Sequence, residues 1–373
     1  MSEPDGQTPA SSGLKNWLRA AWKALSVPLL AVLLAALIGG VILIASGANP
    51  ITAYIALLDG SFGSFTAFAR TLEKATPLIF SGLAVAFAFK AGLFNIGAQG
   101  QLLLGAMTSA VVGFAVTGLP PILHASLALL AGIAAGALYG AIPGALKVYT
   151  GAHEVITTIM LNYIAINITD YLADGPLKDP SPSNIVARTP LILDSAKIPI
   201  VWGIPIGFLI ALLAAVGAWW FLWKTTIGFE IRTVGLNPNA ARYAGMRVAF
   251  TVILAMVISG GLAGLGGAVE TQGVVFRYQP GFNVGLGFDG ITVALLGRTH
   301  PFGVVPAAIL LGALKAGASQ MQFSAGVAKE ITDVIQALIL FFVSADMIVR
   351  WLLRSRAPEE TEKVTLSTGW GKQ

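Results

Sequence analysis

The stretch TIGFEIRTVGLNPNAARYAGMRV, residues 226–248, is a polar interval between two long apolar runs. It carries too many charged side chains to lie in hydrocarbon, where each charge is costly. It also contains ordered helix signals, because Asn237 can cap a helix, Pro238 suits a first turn and Gly245 suits an end. The stretch therefore predicts a short helix, about residues 237–244, in a water-exposed loop of a multi-span membrane protein.

The composition assigns the chain to the membrane class. Of 373 residues, 55% are hydrophobic and 11% are charged, whereas soluble proteins average about 25% charged. The net charge of +5 is typical of basic cytoplasmic loops facing anionic lipid, and we do not expect a nucleic-acid partner. The absence of cysteine excludes disulfides and thiolate catalysis, and the three scattered histidines have no metal-ligand spacing.

Ten membrane spans are expected, which predicts an all-α polytopic protein. A tenth segment, at 286–297, is short and interrupted by glycine, so it fits only as a discontinuous helix packed inside the bundle. Residues 1–25 and 353–373 are expected to be cytoplasmic tails of a transmembrane domain over 26–352, with a polar cytoplasmic loop at 224–247. The nine longer apolar runs are near 26–46, 70–90, 93–117, 121–146, 154–174, 203–223, 248–269, 303–323 and 331–352.

The distribution of basic residues predicts the orientation. With a cytoplasmic N-terminus, fifteen of the 23 Lys and Arg residues lie inside, seven lie outside, and Lys315 lies within a span. This agrees with the positive-inside rule and places both termini in the cytoplasm. The apolar core at 27–45 is too long for a signal peptide, so the first helix is expected to stay uncleaved. Stretches 1–13 and 357–373 are polar and expected to be disordered. The proline-rich outer loop at 174–202 is either a connector or a receiving surface for an external partner.

The chain lacks the sequences that would support its own chemistry. The dipeptide Gly371-Lys372 is not followed by Ser or Thr, so no phosphate-binding loop exists and any ATP must be hydrolysed by another subunit. No hydrolase motif is present. No ionisable relay lies near the expected bilayer midplane, which disfavours a secondary transporter. The sequence therefore indicates a transporter subunit that is not an enzyme, with a secondary transporter or a membrane enzyme as alternatives.

Amides and acids within the spans are the candidates for a substrate path. Asn95 and Gln99, in FNIGAQGQLLLGAM at 94–107, lie one helical turn apart among glycines. Asn162, in HEVITTIMLNYIA at 153–165, and Asp289 complete the set. These four side chains either line a path for a polar substrate or knit the helices together, since amides in a nonpolar surround need partners. Asn167 and Asp170 have spacings that partly share a face with Asn162, which predicts a polar stripe toward a water-filled cavity.

A short internal echo predicts an inverted repeat. The residues FNIG at 94–97 recur as FNVG at 282–285, five spans later and in the opposite expected orientation. This is the relation that a repeat of five plus five helices gives.

The three motifs FNIGAQGQLLLGAM, HEVITTIMLNYIA and GFEIRTVGLNPNAARYAGM together resemble the permease family of ABC importers for branched-chain amino acids, ribose and nucleosides, most of all its nucleoside-uptake branch. The resemblance covers about residues 26–352. It implies a ten-helix type II importer subunit in a bacterial cytoplasmic membrane, paired with a sister or identical permease.

The resemblance also implies an external substrate-binding protein and a separate cytoplasmic ABC ATPase that binds ATP and magnesium. The permease itself would need no cofactor. A nucleoside is the expected substrate, with a simple sugar such as ribose as the alternative. The loop residues expected to contact or shape the ATPase junction are Glu230, Arg232, Gly235, Asn237, Pro238, Ala241 and Gly245.

Overall fold

The computed structural model describes residues 10–181, 184–281 and 285–345 and is almost entirely helical. A short hairpin, Ile200–Val201 paired with Ile204–Pro205, is the single sheet of these residues. The helices are α1 Ala10–Ala45, α2 Pro50–Phe62, α3 Phe65–Lys90, α4 Ala98–Ala115, α5 Pro121–Thr150, α6 Glu154–Asp174, α7 Ile206–Lys224, α8 Thr226–Leu236, α9 Pro238–Tyr243, α10 Val248–Glu270, α11 Leu286–Leu296, α12 Pro301–Ala325 and α13 Ile331–Ser344. A 3-10 turn at Asp194–Ala196 and a π turn at Thr271–Val275 complete the elements.

The expected number of spans agrees with the helices. Eight helices of the described chain are long and apolar enough to cross a membrane, and α11 and α13 are shorter apolar helices at the positions of the tenth and ninth predicted segments. The helix α2 was not expected, because its 13 residues are too short to read as a span. α1 begins at Ala10, within the stretch expected to be disordered. The second copy of the FNIG echo and residues 346–373 lie outside the described residues.

Close contact between glycines holds the centre of the bundle. Gly132, Gly136 and Gly140 recur every fourth residue on one side of α5, which packs against α10. A Cβ atom at Gly136 would lie 2.7 Å from the Gly264 Cα and still closer to the Gly260 carbonyl oxygen. Helices can approach this closely only where side chains are absent.

The helix α10 makes a similar contact on a second side. A Cβ atom added at Gly105 of α4 would overlap the backbone of Gly264, so the same α10 residue packs against both α4 and α5. α3 lies behind these helices and is the most deeply buried span, packing also on α7, α11 and α12. The result is a rigid block of α3, α4, α5 and α10 that carries the remaining helices.

The outer loop is fastened to one end of this block. Backbone N–H groups of Thr189 and Ile192 donate to the carbonyls of Tyr278 and Phe276, at 2.9 Å each. The side chain of His124, at the start of α5, contacts the Ser195 hydroxyl at 2.8 Å. In its described part, this loop therefore has fixed positions against the ends of α5 and α10. The opposite end of the block carries α8 and α9.

The glycine contact predicts a sharp difference between two Gly→Ala substitutions. Gly136→Ala should lower the free energy of unfolding by about 1–3 kcal/mol, because the added methyl has no space between α5 and α10. Gly217→Ala on α7 is the matched control, since a Cβ atom there meets no atom within 4 Å. It should leave stability unchanged or raise it slightly, as alanine favours helix. Thermal unfolding of the purified protein measures both, and equal effects would contradict the packing.

Candidate functional site

The predicted short helix in the polar interval is confirmed as α9. The Asn237 side-chain oxygen accepts hydrogen bonds from the N–H groups of Asn239 and Ala240, at 3.0 Å each, and Pro238 occupies the first turn. Ala241 is fully buried and anchors the helix, whereas Tyr243 is 96% exposed. Gly245 follows with φ of +80°, a left-handed conformation that favours glycine. The exposed side of α9 is a small projecting surface at the end of the bundle.

The residues before α9 form a second helix, which corrects the expectation of a loop. Glu230, Arg232 and Gly235 lie on α8, which starts at Thr226 after a cap by the Thr225 hydroxyl. Arg232 donates from Nε to the Leu222 carbonyl at 3.0 Å, and its guanidinium lies 5.5 Å from the Trp223 ring centre. Tertiary packing explains the difference, because Ile231 and Val234 are buried and both glycines lie against neighbouring backbone, which outweighs the low helix propensity of this sequence. Arg232 therefore fixes α8 on the end of α7.

Gly235 brings α8 against the turn that follows α3. A Cβ atom at Gly235 would lie 2.8 Å from the Gly92 backbone nitrogen and still closer to the Lys90 carbonyl oxygen. Gly92 itself has φ of +71°. The end of α8 and the start of the irregular stretch 91–97 are thus in close backbone contact.

The irregular stretch 91–97 is held inside the bundle by Asn95. Its amide nitrogen donates to Gln101 Oε1 and to the Ser259 hydroxyl, both at 2.8 Å, and its oxygen accepts from the Gly97 N–H at 3.0 Å. The Ser259 hydroxyl donates in turn to the Ala84 carbonyl at 2.6 Å. Asn95 is fully buried. This network ties α3, α4 and α10 to a segment that lies between two helices.

Gln99 and Asn162 form hydrogen bonds with backbone groups at the start of α11 and at the start of α4. Asn162 Oδ1 accepts from the Gly100 N–H at 2.8 Å, and its Nδ2 donates to the Ile96 carbonyl at 3.0 Å. Gln99 Oε1 accepts from the Gly287 N–H at 2.7 Å, at the start of the short helix α11. Both side chains are buried. The sequence left two alternatives open for these amides. In this conformation Asn95, Gln99 and Asn162 hold the helices together by hydrogen bonds and do not line an open path.

Asp289 lies apart from these amides, in an ion pair within the membrane. Its carboxylate is 2.9 Å from Lys315 Nζ of α12 and accepts a hydrogen bond from the Gln336 amide of α13. The Asp289 and Lys315 side chains keep 15% and 25% of their surface exposed. Lys315 lies about 20 Å along α12 from its first residue, at a rise of 1.5 Å per residue. Sequence reasoning left Lys315 unassigned, although a single lysine within a span is itself a signal of function.

The polar residues of α6 that were expected to form one stripe lie on different sides of this helix. Its packed side carries Glu154, which binds Lys147 of α5 at 2.6 Å, and Asn162. Asn167 is exposed and turned away from Asn162, whereas the half-buried Asp170 lies between these two sides of the helix. The expected single polar stripe is therefore wrong for Asn162, because positions 162 and 167 differ by five residues and point to different sides of a helix. Among the described residues no cluster of three or more His, Asp or Glu side chains could hold a metal ion.

Comparison with known proteins agrees with this architecture. Residues 67–344 match the family described as the permease component of the branched-chain amino acid transport system. The chain belongs to this family. The permease is 44% identical to the guanosine ABC transporter permease protein NupP of Bacillus subtilis over 339 residues, 88% of this chain and 95% of that one.

Two further relatives cover nearly the whole permease. The nucleoside ABC transporter permease protein NupB of Lactococcus lactis is 38% identical over 90% of this chain and 96% of its own. A glucose ABC transporter permease protein of Haloferax volcanii is 35% identical over 89% of this chain and 90% of its own. Lactococcus lactis and Bacillus subtilis each have a second matching permease protein at lower identity.

The ion pair between Asp289 of α11 and Lys315 of α12 predicts that a single substitution lowers the stability of the permease more than the double substitution does. Lys315→Met should destabilise the permease by about 3–5 kcal/mol, since it leaves the Asp289 carboxylate without its cation. Adding Asp289→Asn should recover most of that loss. Lys178→Met is the matched control, because it removes an exposed ion pair with Asp174 and should cost at most about 1 kcal/mol. Thermal unfolding in detergent compares the three, and a Lys315→Met protein as stable as the control would contradict the pairing.

Proposed function

We propose that this permease is one membrane-spanning subunit of an ATP-driven importer that carries nucleosides. The observation that supports this most is the similarity over nearly the full length to a guanosine permease protein, at 44% identity. The second nucleoside relative, at 38%, points to the same substrate class. A simple sugar is the second candidate, because a glucose permease protein is 35% identical over a similar length.

The proposed partners rest on the absence of a phosphate-binding loop and on the two ends of the bundle, one with α8 and α9 and the other with the outer loop. A cytoplasmic ABC ATPase, which holds ATP and magnesium, would dock on the exposed side of α9. A second permease, identical or a sister chain, would complete the membrane part. An external binding protein would deliver substrate at the end that carries the fastened outer loop. In this arrangement the permease lies in a bacterial cytoplasmic membrane with both termini in the cytoplasm.

The contacts suggest how movement at the ATPase would reach the membrane interior. A shift of α9 moves α8, and α8 presses on the turn after Lys90 through Gly235. That turn continues into the stretch held by Asn95, which leads into α4. Gln99, in the first turn of α4, then contacts the start of α11, next to Asp289. We therefore assign Glu230, Arg232, Gly235, Asn237, Pro238, Ala241 and Gly245 to coupling.

The substrate path is proposed at the far end of this chain of contacts. Asn95, Gln99, Asn162 and Asp289 all lie near the backbone breaks before α4 and at the start of α11, and discontinuous helices form binding sites in other transporters. Three of them are packed in this conformation, so their exposure to substrate would require the breaks to open. Asp289 is already partly exposed and is the first candidate to meet a substrate.

Uptake by cells tests the proposal directly. Deletion of the gene from its native host should abolish ATP-dependent uptake of radiolabelled guanosine at low concentration, and the intact gene should restore it. Unlabelled inosine and uridine should compete with guanosine, whereas ribose and glucose should not. Unchanged guanosine uptake in the deletion strain, together with loss of ribose or glucose uptake, would support the sugar alternative and contradict the nucleoside proposal.

A further inference from the structure

The side of α6 that faces away from the bundle carries polar and aromatic side chains among aliphatic ones, which are Ile156, Met160, Ile164 and Ile168. Tyr163 is 61% exposed and Tyr171 is 71% exposed, and Asn167 lies between them one turn from each. The Asn167 amide nitrogen donates to the Tyr163 carbonyl at 2.7 Å. Within the described chain, no donor reaches its oxygen, and neither tyrosine hydroxyl has a hydrogen-bond partner. Asp170 adds a half-buried carboxylate beside them.

Tyr163 and Asn167 lie deeper than a membrane interface, whereas Asp170 and Tyr171 lie near the outer end of α6. At 1.5 Å per residue, Tyr163 is about 14 Å and Asn167 about 20 Å from the first residue of a helix about 31 Å long. Tyrosines that anchor a span lie near its ends, at the level of the lipid headgroups. An amide oxygen without a donor is costly in lipid at the depth of Asn167. This side of α6 therefore faces water or protein when the transporter is assembled.

The exposed sides of the neighbouring spans show the contrast. On α7 the exposed side consists of Leu209, Leu213, Val216 and Trp220, as expected for contact with lipid. On α5 the large exposed side chains along the middle of the helix are leucines, such as Leu130 and Leu138. Among these three helices, α6 alone exposes an amide side chain along its membrane-spanning part, and it also carries the half-buried Asp170 nearer its outer end.

We propose that this side of α6 is a wall of the substrate path, on which Tyr163 stacks against the nucleobase. The inference rests on the proposed nucleoside substrate. A flat base can stack on the exposed ring, and the free Asn167 oxygen and the Asp170 carboxylate can accept hydrogen bonds from the N–H groups at the edge of the base. Tyr171, two turns further toward the outer end, offers a second ring along the same side.

Substitutions that separate the ring from the hydroxyl test the stacking. In the complete transporter, Tyr163→Leu should reduce guanosine uptake per assembled complex roughly tenfold, as expected for loss of one base–aromatic stack. Tyr163→Phe should stay close to the wild type, because the ring is kept. Trp220→Leu on α7 is the matched control, an aromatic residue exposed on a lipid-facing side, and should leave uptake unchanged. Assembled complex is measured by co-purification of the permease with the ATPase.

Cysteine labelling tests whether this side is wet. The chain has no native cysteine, so single substitutions give a clean background. Asn167→Cys should react with a water-soluble thiol reagent, and guanosine should slow that reaction. Leu213→Cys on α7 should not react. Labelling without protection by guanosine would indicate a wet interface between permeases and would overturn the substrate contact, and no labelling would indicate buried protein or lipid contact and overturn it too.

The two proposals fail in different ways. If wild-type cells take up no guanosine, the nucleoside function itself is wrong. If the wild type transports guanosine while Tyr163→Leu transports it equally well per assembled complex, the function stands and the stacking role of α6 is wrong.

Discussion

The contact between the glycines of α5 and α10 is the constraint on which the rest of the structure depends. In a membrane, helices gain little by leaving lipid for protein, so close packing and hydrogen bonds must hold them together. Gly136 faces Gly260 and Gly264 with no side chain between the backbones, and Gly105 brings α4 to the same point. Because close backbone packing holds these helices together, the structure can tolerate irregular backbone elsewhere.

The breaks in α4 and α11 show how that tolerance is used. A backbone group without a partner is costly in hydrocarbon, so each break needs a side chain to satisfy it. The Asn95 side chain accepts a hydrogen bond from a backbone N–H within 91–97. Asn162 does the same for Gly100, and Gln99 for Gly287. Such bonds are individually weak in membranes, averaging about 0.6 kcal/mol, and can be exchanged when the breaks rearrange. A rigid block with weakly fastened breaks suits a protein that must open a path and close it again.

Part of this architecture could be predicted from the sequence, and the reasons differ from element to element. The cap at Asn237 and the proline after it are local signals, so α9 was predicted to within a residue or two. The helix α8 was missed because glycine and charge in its sequence resemble a loop, and α2 was missed because it is shorter than a span. Lys315 has no local partner in the sequence, since its ion pair with Asp289 depends on tertiary structure. The separation of Asn162 from Asn167 follows from their five-residue spacing on a helix and could have been predicted from the sequence.

The central claim is that movement at the coupling helices reaches the membrane interior through the backbone contact at Gly235. The most direct test is the number of guanosine molecules taken up per ATP hydrolysed by the complete transporter carrying Gly235→Ala. We predict that hydrolysis continues while this ratio falls several-fold, because the added methyl separates α8 from the Lys90 carbonyl, whereas Gly217→Ala leaves the ratio unchanged. An unchanged ratio for Gly235→Ala in a fully assembled transporter would contradict the claim.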